Sequence, residues 1–238
     1  MKIALIGYGK MGKEIEKIAI SRYHNIVLRV NELNADTITL EDLQRADVAI
    51  EFSTPFTVVK NIYKCFEANL PIVVGTTGWN SEFEAVKNTC IENKKSLFYT
   101  SNFSLGVNLF FELNTKLAQL MNKQDEYKVE IEEIHHIHKK DKPSGTAITL
   151  ANGIIENLDR KKNWSLEKKT DPESLYIKDV RQGEVPGTHV VTYESTVDKI
   201  EIKHEAYNRS GFATGAVLSA EFLLGRKGIF GMKDLLSL

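Results

Sequence analysis

The chain has 238 residues, 42% hydrophobic and 26% charged, with a formal net charge of −1. That length holds one large domain or two small ones with cores of their own, and the near-neutral balance argues against nucleic acid or an anionic membrane as partner. No apolar run is long enough to span a bilayer, the N-terminus enters a strand pattern instead of a signal peptide, and Cys65 and Cys90 fit neither a disulfide nor a metal spacing, so a cytoplasmic protein is expected.

Ile3 to Ile6 is a short apolar run of the kind buried on both faces of a parallel sheet. Gly7-Tyr-Gly-Lys-Met-Gly12 follows, then a helical pattern carrying Met11, Ile15 and Ile18, then a second strand from Ile26 to Val30. Glu32 stands about 20 residues beyond the third glycine, the spacing of a dinucleotide fingerprint. Its glycines give a tight turn, a close approach for pyrophosphate and close helix–strand packing, and helix amides face the phosphates. Either Glu32 or Asn31 can meet the adenosine ribose. Further strands are expected at Val48 to Phe52, Ile72 to Val74 and Leu97 to Tyr99, with helices to about Ala68 and Asn93 between them. This rhythm specifies an α/β fold, a Rossmann-type, doubly wound parallel sheet whose ligands bind beyond the strand C-termini. Three loops lie there: Gly7–Gly12, Gly75-Thr-Thr-Gly78 and Thr100–Ser104. The plainer reading of the second is strand-to-helix punctuation with Thr77 or Ser81 as a cap.

The pattern changes after Gly106. A helix from Val107 to Met121 carries Phe110, Leu113, Leu117 and Leu120 as a core stripe. Tyr127 to Ile137 alternates as a strand. Ala147 to Leu158 is helical, Asp159 to Glu173 reads as an exposed polar excursion, and strands follow at 174–180, 188–195 and 199–206. A last helix, from Phe212 to Leu224, is expected to return to the first domain. The division is therefore 1–105 with 210–238 as a dinucleotide-binding domain, and 106–209 as a smaller α+β domain.

Chemistry concentrates in Glu130 to Ala147, where His135, His136 and His138 precede Lys139, Lys140 and a Pro143-Ser144-Gly145-Thr146 turn into a helix. Ser144, Gly145 and Thr146 can grip a carboxylate with hydroxyls and free helix amides. The lysines add cations, and histidines supply protons near neutral pH. The stretch suits an anionic substrate that is protonated during reaction. The plainer readings are a cap, solvated lysines and satisfied polar histidines. A metal is a sharper rival, with His136 and His138 on one strand face. Against it, His135 points to the opposite face and no cysteine assists, so no metal is expected.

The run Glu133-Ile-His135-His136-Ile-His-Lys139-Lys-Asp141-Lys-Pro143-Ser144-Gly145-Thr146-Ala147 resembles the signature of the dihydrodipicolinate (4-hydroxy-tetrahydrodipicolinate) reductase family, complete at every fixed position. Gly7–Gly12, Gly75–Gly78, Ser101–Asn108, Gly183–Thr188 and His204–Arg209 are similar to it as well. The resemblance implies reduction of a small cyclic dicarboxylate by NADH or NADPH in lysine and diaminopimelate synthesis. It makes His135 the general acid and Lys139 the charge stabiliser and a substrate contact. His136, Ser144, Gly145, Thr146 and Arg209 become substrate-carboxylate contacts. Gly7, Tyr8, Gly9, Lys10, Met11, Gly12 and Glu32, with Gly75, Thr76, Thr77, Thr100, Ser101, Asn102 and Phe103, become cofactor contacts. It also implies a homotetramer built on the second-domain sheets, and domains that close about a hinge. Ile137 and Lys142 depart from the family's frequent arginine and alanine. An acidic Glu32 favours NAD, whereas Lys10 or Arg29 can admit a 2′-phosphate. Another two-domain NAD(P) dehydrogenase, or an NAD(H)-binding sensor without turnover, would share the first-domain pattern.

Overall fold

Short apolar runs separated by helices build a six-stranded parallel sheet from β1 (Lys2–Ile6), β2 (Asn25–Val30), β3 (Val48–Glu51), β4 (Ile72–Val74), β5 (Ser96–Tyr99) and, from the far end of the chain, β11 (Gly228–Phe230). Their spatial order is β11-β5-β4-β3-β1-β2, every pair parallel. β3 and β4 are buried along their whole length, which is why their sequences are continuously apolar apart from Glu51. One face of the sheet carries Leu43 of α2 (Leu40–Gln44), Val58, Ile62 and Phe66 of α3 (Val58–Glu67) and Val86 of α4 (Phe83–Glu92). The other carries Ile15 and Ala19 of α1 (Lys10–Ser21) and Ala216, Val217, Ala220 and Leu223 of α7 (Ser210–Leu223). Cys65 and Cys90 are buried thiols of the first face, and burial pushes Cys90 up to about 11. Neither Thr77 nor Ser81 caps α4: Glu82 is its N-cap, preceded by a 3₁₀ turn over Asn80–Glu82.

The computed structural model describes residues 1–168, 171–208 and 210–238, and the chain divides into two units, Met1–Leu105 with Ser210–Leu238, and Gly106–Arg209. Among the described residues no helix is long and apolar enough to cross a membrane.

The second unit holds a mixed five-stranded sheet. Its strands are β6 (Lys128–His135), β7 (Asn163–Ser165), β8 (Ser174–Arg181), β9 (Gly187–Glu194) and β10 (Lys199–Ala206), in the order β10-β9-β6-β8-β7. β6 is central, antiparallel to β9 and parallel to β8. Period-two alternation puts Val129, Ile131, Glu133 and His135 on its buried face. α5 (Leu105–Met121) and α6 (Gly145–Asn157) supply Phe110, Ala118, Leu150, Ala151 and Ile154 to the same core.

Two expectations change here. The buried stripe of α5 is Val107, Phe110, Asn114, Ala118 and Met121, while Leu113 and Leu120 are 52% and 64% exposed. The small Asn114 is preferred inside because its Nδ2 donates to the Leu150 carbonyl at 3.0 Å, which lets α5 approach α6 closely. The stretch from Asp159 to Glu173 is more than an excursion, since β7 adds a parallel edge strand to β8. Lys169 of that stretch lies outside the described residues. Truncating Phe110 to Ala should therefore cost about 3–5 kcal/mol, whereas Leu113→Gln should stay within about 0.5 kcal/mol of the parent. Urea unfolding of the two variants checks this ordering.

Candidate functional site

In the first unit, β1 and β3 are neighbours whose connections leave in opposite directions, the point at which such sheets bind ligands. Gly7 ends β1 with φ +91°, and a Cβ there would overlap the Phe52 carbonyl. A Cβ on Gly12 would stand 2.6 Å from the Gly7 carbonyl, so the third glycine lets α1 start against the turn. Gly9 is the N-cap of α1 and brings no side chain to it, and the first turn carries no acidic residue. The helix therefore presents its positive end and unbonded amides, which fits a pyrophosphate.

A cleft of about 610 Å³ opens there, lined by Gly7, Tyr8, Gly9, Asn31 and Glu32 among others. Asn31 is engaged locally, its side chain accepting from Leu33 N at 2.9 Å. Among the described residues no partner holds the Glu32 carboxylate, which lines this cleft. Arg29 is bonded to Glu16, which also takes the Tyr8 hydroxyl, so it is committed before any 2′-phosphate arrives. Sequence reasoning missed Ser53, Thr54, Thr57 and Lys60 on the other wall. Their signal was the end of the third strand, which the rule for strand C-termini covers. Beneath them Glu51 is buried, accepting from Ser53 N at 3.1 Å and Asn61 Nδ2 at 3.3 Å; burial pushes its carboxyl above the usual range against these bonds.

The remaining expected cofactor residues fall elsewhere. Lys10 is exposed on α1 and the half-buried Met11 packs against the core. Gly75 lies against the Phe52 ring, and Thr76 accepts from Ser53 N at 2.8 Å. Thr77 and Ser101 are exposed, the Thr100 hydroxyl accepts from Asn102 N at 3.2 Å, and Phe103 is buried 5.5 Å from the Phe52 ring.

In the second unit the histidine-rich stretch folds around an internal carboxylate. Glu133 has no exposed surface. Its Oε1 accepts from Ser144 N at 3.0 Å and lies 3.7 Å from Arg181. Its Oε2 lies 3.4 Å from His135 Nε2 and 3.6 Å from His189 Nε2. Burial pushes this carboxyl up, but His135, His189 and Ser144 together outweigh it and hold the group well below the ordinary carboxylate range. Burial, with the neighbouring His135, holds His189 below the usual histidine range against the opposing pull of Glu133. Gly187 borders the His135 ring; a Cβ on it would come to 2.9 Å of His135 Cε1.

Ser144 is the N-cap of α6, its hydroxyl accepting from Ala147 N at 3.2 Å and meeting His189 Nε2 at 3.1 Å. Both of its polar groups thus serve the protein, and the carboxylate in the expected cradle at Ser144 is the chain's own Glu133. Among the described residues nothing caps the amides of Gly145 and Thr146, and space beside Gly145 is open. Lys139 pairs with Asp141 at 2.8 Å. His136 follows the strand, its ring 6.0 Å from that of the exposed His138, which pairs with Glu184 at 3.1 Å. Arg209 lies outside the described residues.

Residues 1–103 match the family profile for the dihydrodipicolinate reductase N-terminus, and residues 106–236 match that for its C-terminus. The chain belongs to the dihydrodipicolinate reductase family. A 4-hydroxy-tetrahydrodipicolinate reductase of Christiangramia forsetii is 50% identical over 237 residues, covering 100% of this chain and 98% of that protein. One from Neisseria meningitidis serogroup B is 36% identical over 203 residues, 82% of this chain and 74% of that one. A solved dihydrodipicolinate reductase from Paenisporosarcina sp. TG-14, with dipicolinate bound, shares the fold at TM-score 0.77 and 24% identity, over 98% of each chain.

In the second unit of this family member, His189 and Arg181 are the residues that sequence reasoning overlooked. The signal for His189 is register alone: it sits directly opposite Glu133 on β9. Arg181 donates to the Asp141 carbonyl at 2.7 Å and bonds Asp179, fastening the loop that carries Lys139. Removing it as Arg181→Ala should loosen that loop, cost about 1–3 kcal/mol, and speed amide exchange at residues 139–141. Unchanged exchange there would show that the loop is held by other contacts.

Proposed function

We propose that the chain reduces 4-hydroxy-tetrahydrodipicolinate to tetrahydrodipicolinate in lysine and diaminopimelate synthesis, with His135 as proton donor and Lys139 as charge stabiliser. The observation that carries the assignment of roles is the buried His135 ring, oriented beside a carboxylate at the entrance to a helix whose first amides are uncapped. NADH or NADPH supplies the hydride. The balance is one hydride and one proton added and one water lost, and the proton is the protein's to give. Glu133 and the small Gly187 fix the His135 ring so that its proton is delivered from one direction. Gly145 and Thr146 take one substrate carboxylate on the positive end of α6. Lys139 exchanges Asp141 for the anionic ring, and His136 borders it. For Ser144 the role shifts from gripping substrate to anchoring Glu133. Arg209 keeps its role as the second carboxylate's partner on the strength of the family motif.

The first-unit cleft is read as the cofactor site, with the ribose on Glu32. A committed Arg29 and an unpaired Glu32 favour NADH. Because the family signature spans both units, the chain is read as a cytoplasmic homotetramer joined through the second-unit sheets, which sedimentation tests directly.

His135→Gln should lower kcat by about a hundred- to ten-thousand-fold, the range for loss of a general acid, measured by NADH oxidation with freshly generated substrate. Retained kcat removes His135 from the proton step. Glu32→Ala should move the NADH to NADPH ratio of kcat/KM toward NADPH by about tenfold, equivalent to about 1.4 kcal/mol, while Arg29→Ala should leave that ratio unchanged. An unmoved ratio in the Glu32 variant places the ribose on another residue.

A further inference from the structure

The atoms that meet at the buried end of β6 form a triangle. His135 Nε2 and His189 Nε2 are 3.3 Å apart, and Glu133 Oε2 stands 3.4 Å from the first and 3.6 Å from the second. Donors held about 2.0–2.1 Å from a tetrahedral ion stand about 3.3–3.4 Å from one another. Two of the three edges match one tetrahedral face, and the third, from Glu133 Oε2 to His189 Nε2 at 3.6 Å, is slightly longer. From this geometry we propose that Glu133, His135 and His189 form a site for a Zn²⁺-class divalent cation.

The donor set is chemically apt. Two borderline imidazoles and one hard carboxylate form a mixed set suited to Zn²⁺ or Co²⁺, and a three-ligand set leaves a fourth position for water. Outer contacts hold the ligands in place. Ser144 N donates to both Glu133 oxygens, at 3.0 and 3.2 Å, and Arg181 lies beside Oε1, which holds the carboxylate with Oε2 facing the two rings. Gly187 lies against the His135 ring. Among the described residues no partner binds the buried His189 Nδ1. The Ser144 hydroxyl stands 3.1 Å from His189 Nε2 and can donate to it, which leaves the ring proton on Nδ1 and an Nε2 lone pair that a bound ion would take over from the serine. The way in is the His135 edge, 9% of whose side chain is exposed. Without metal the same atoms share imidazole protons with Glu133, so cation binding releases protons to solvent. This site differs from the one that histidine spacing suggests, since His136 and His138 lie in the turn beyond the strand.

Occupancy takes the Nε2 of His135 and should stop turnover at one equivalent of Zn²⁺. That consequence rests on the proposed function, whereas binding itself does not. The test is therefore optical. Untagged, metal-free full-length protein titrated with Co²⁺ should develop the intense visible bands of a four-coordinate ion at one equivalent per chain, and Zn²⁺ should bleach them. His189→Ala should weaken Co²⁺ binding by more than the roughly 10–100-fold that loss of outer-shell support costs. Glu133→Gln serves if His189→Ala does not fold by circular dichroism. The His136→Ala/His138→Ala double variant should keep the bands. Absence of bands in the parent, their survival in a folded His189 or Glu133 variant, or their loss in the double variant overturns the site. Bands without inhibition by Zn²⁺ keep the site and overturn His135 as the proton donor.

Discussion

A carboxylate with no exposed surface organises the second unit. Glu133 is charged in the core and would be costly there without partners. It has them on two sides: Ser144 N, with Arg181 near, and the two imidazoles of His135 and His189. Each partner comes from a different element, the start of α6, the end of β8, β6 itself and β9. Satisfying this one charge therefore fixes where the helix begins, how the Lys139 loop is fastened and which way the His135 ring faces.

The first unit depends on a steric constraint of the same local kind. Phe52 sits at the end of β3, with its carbonyl against Gly7 and its ring against Gly75 and Phe103. Two glycines without side chains let three strand ends converge on one residue. The Gly7 turn then delivers α1 to the cleft with its amides uncapped. Glu51, buried just before Phe52, holds Ser53 and Asn61, so the wall opposite the glycine turn is fixed from below.

Most of the architecture was legible in the residues. Continuous apolar runs gave the parallel strands, the glycine spacing gave the turn, and alternation put Glu133 and His135 on one face of β6. Helix interiors were less readable. A leucine count placed Leu113 and Leu120 inside α5, but close packing against α6 and a bond to the Leu150 carbonyl select Asn114 instead. A three-residue edge strand, β7, was hidden in a polar stretch because pairing on one side asks little of its side chains.

The sequence by itself determined the fold class and the family, because periodicity, glycine placement and a contiguous motif are local properties of the chain. Tertiary structure decided which groups meet. His189 is 54 residues from His135 and joins it through the β6–β9 register. Ser144 N turns inward to a buried charge that needs a donor, and Arg181 reaches the Lys139 loop from the end of β8. Such pairings follow from strand register and from satisfying a desolvated charge, and neither is written in the spacing of residues along the chain.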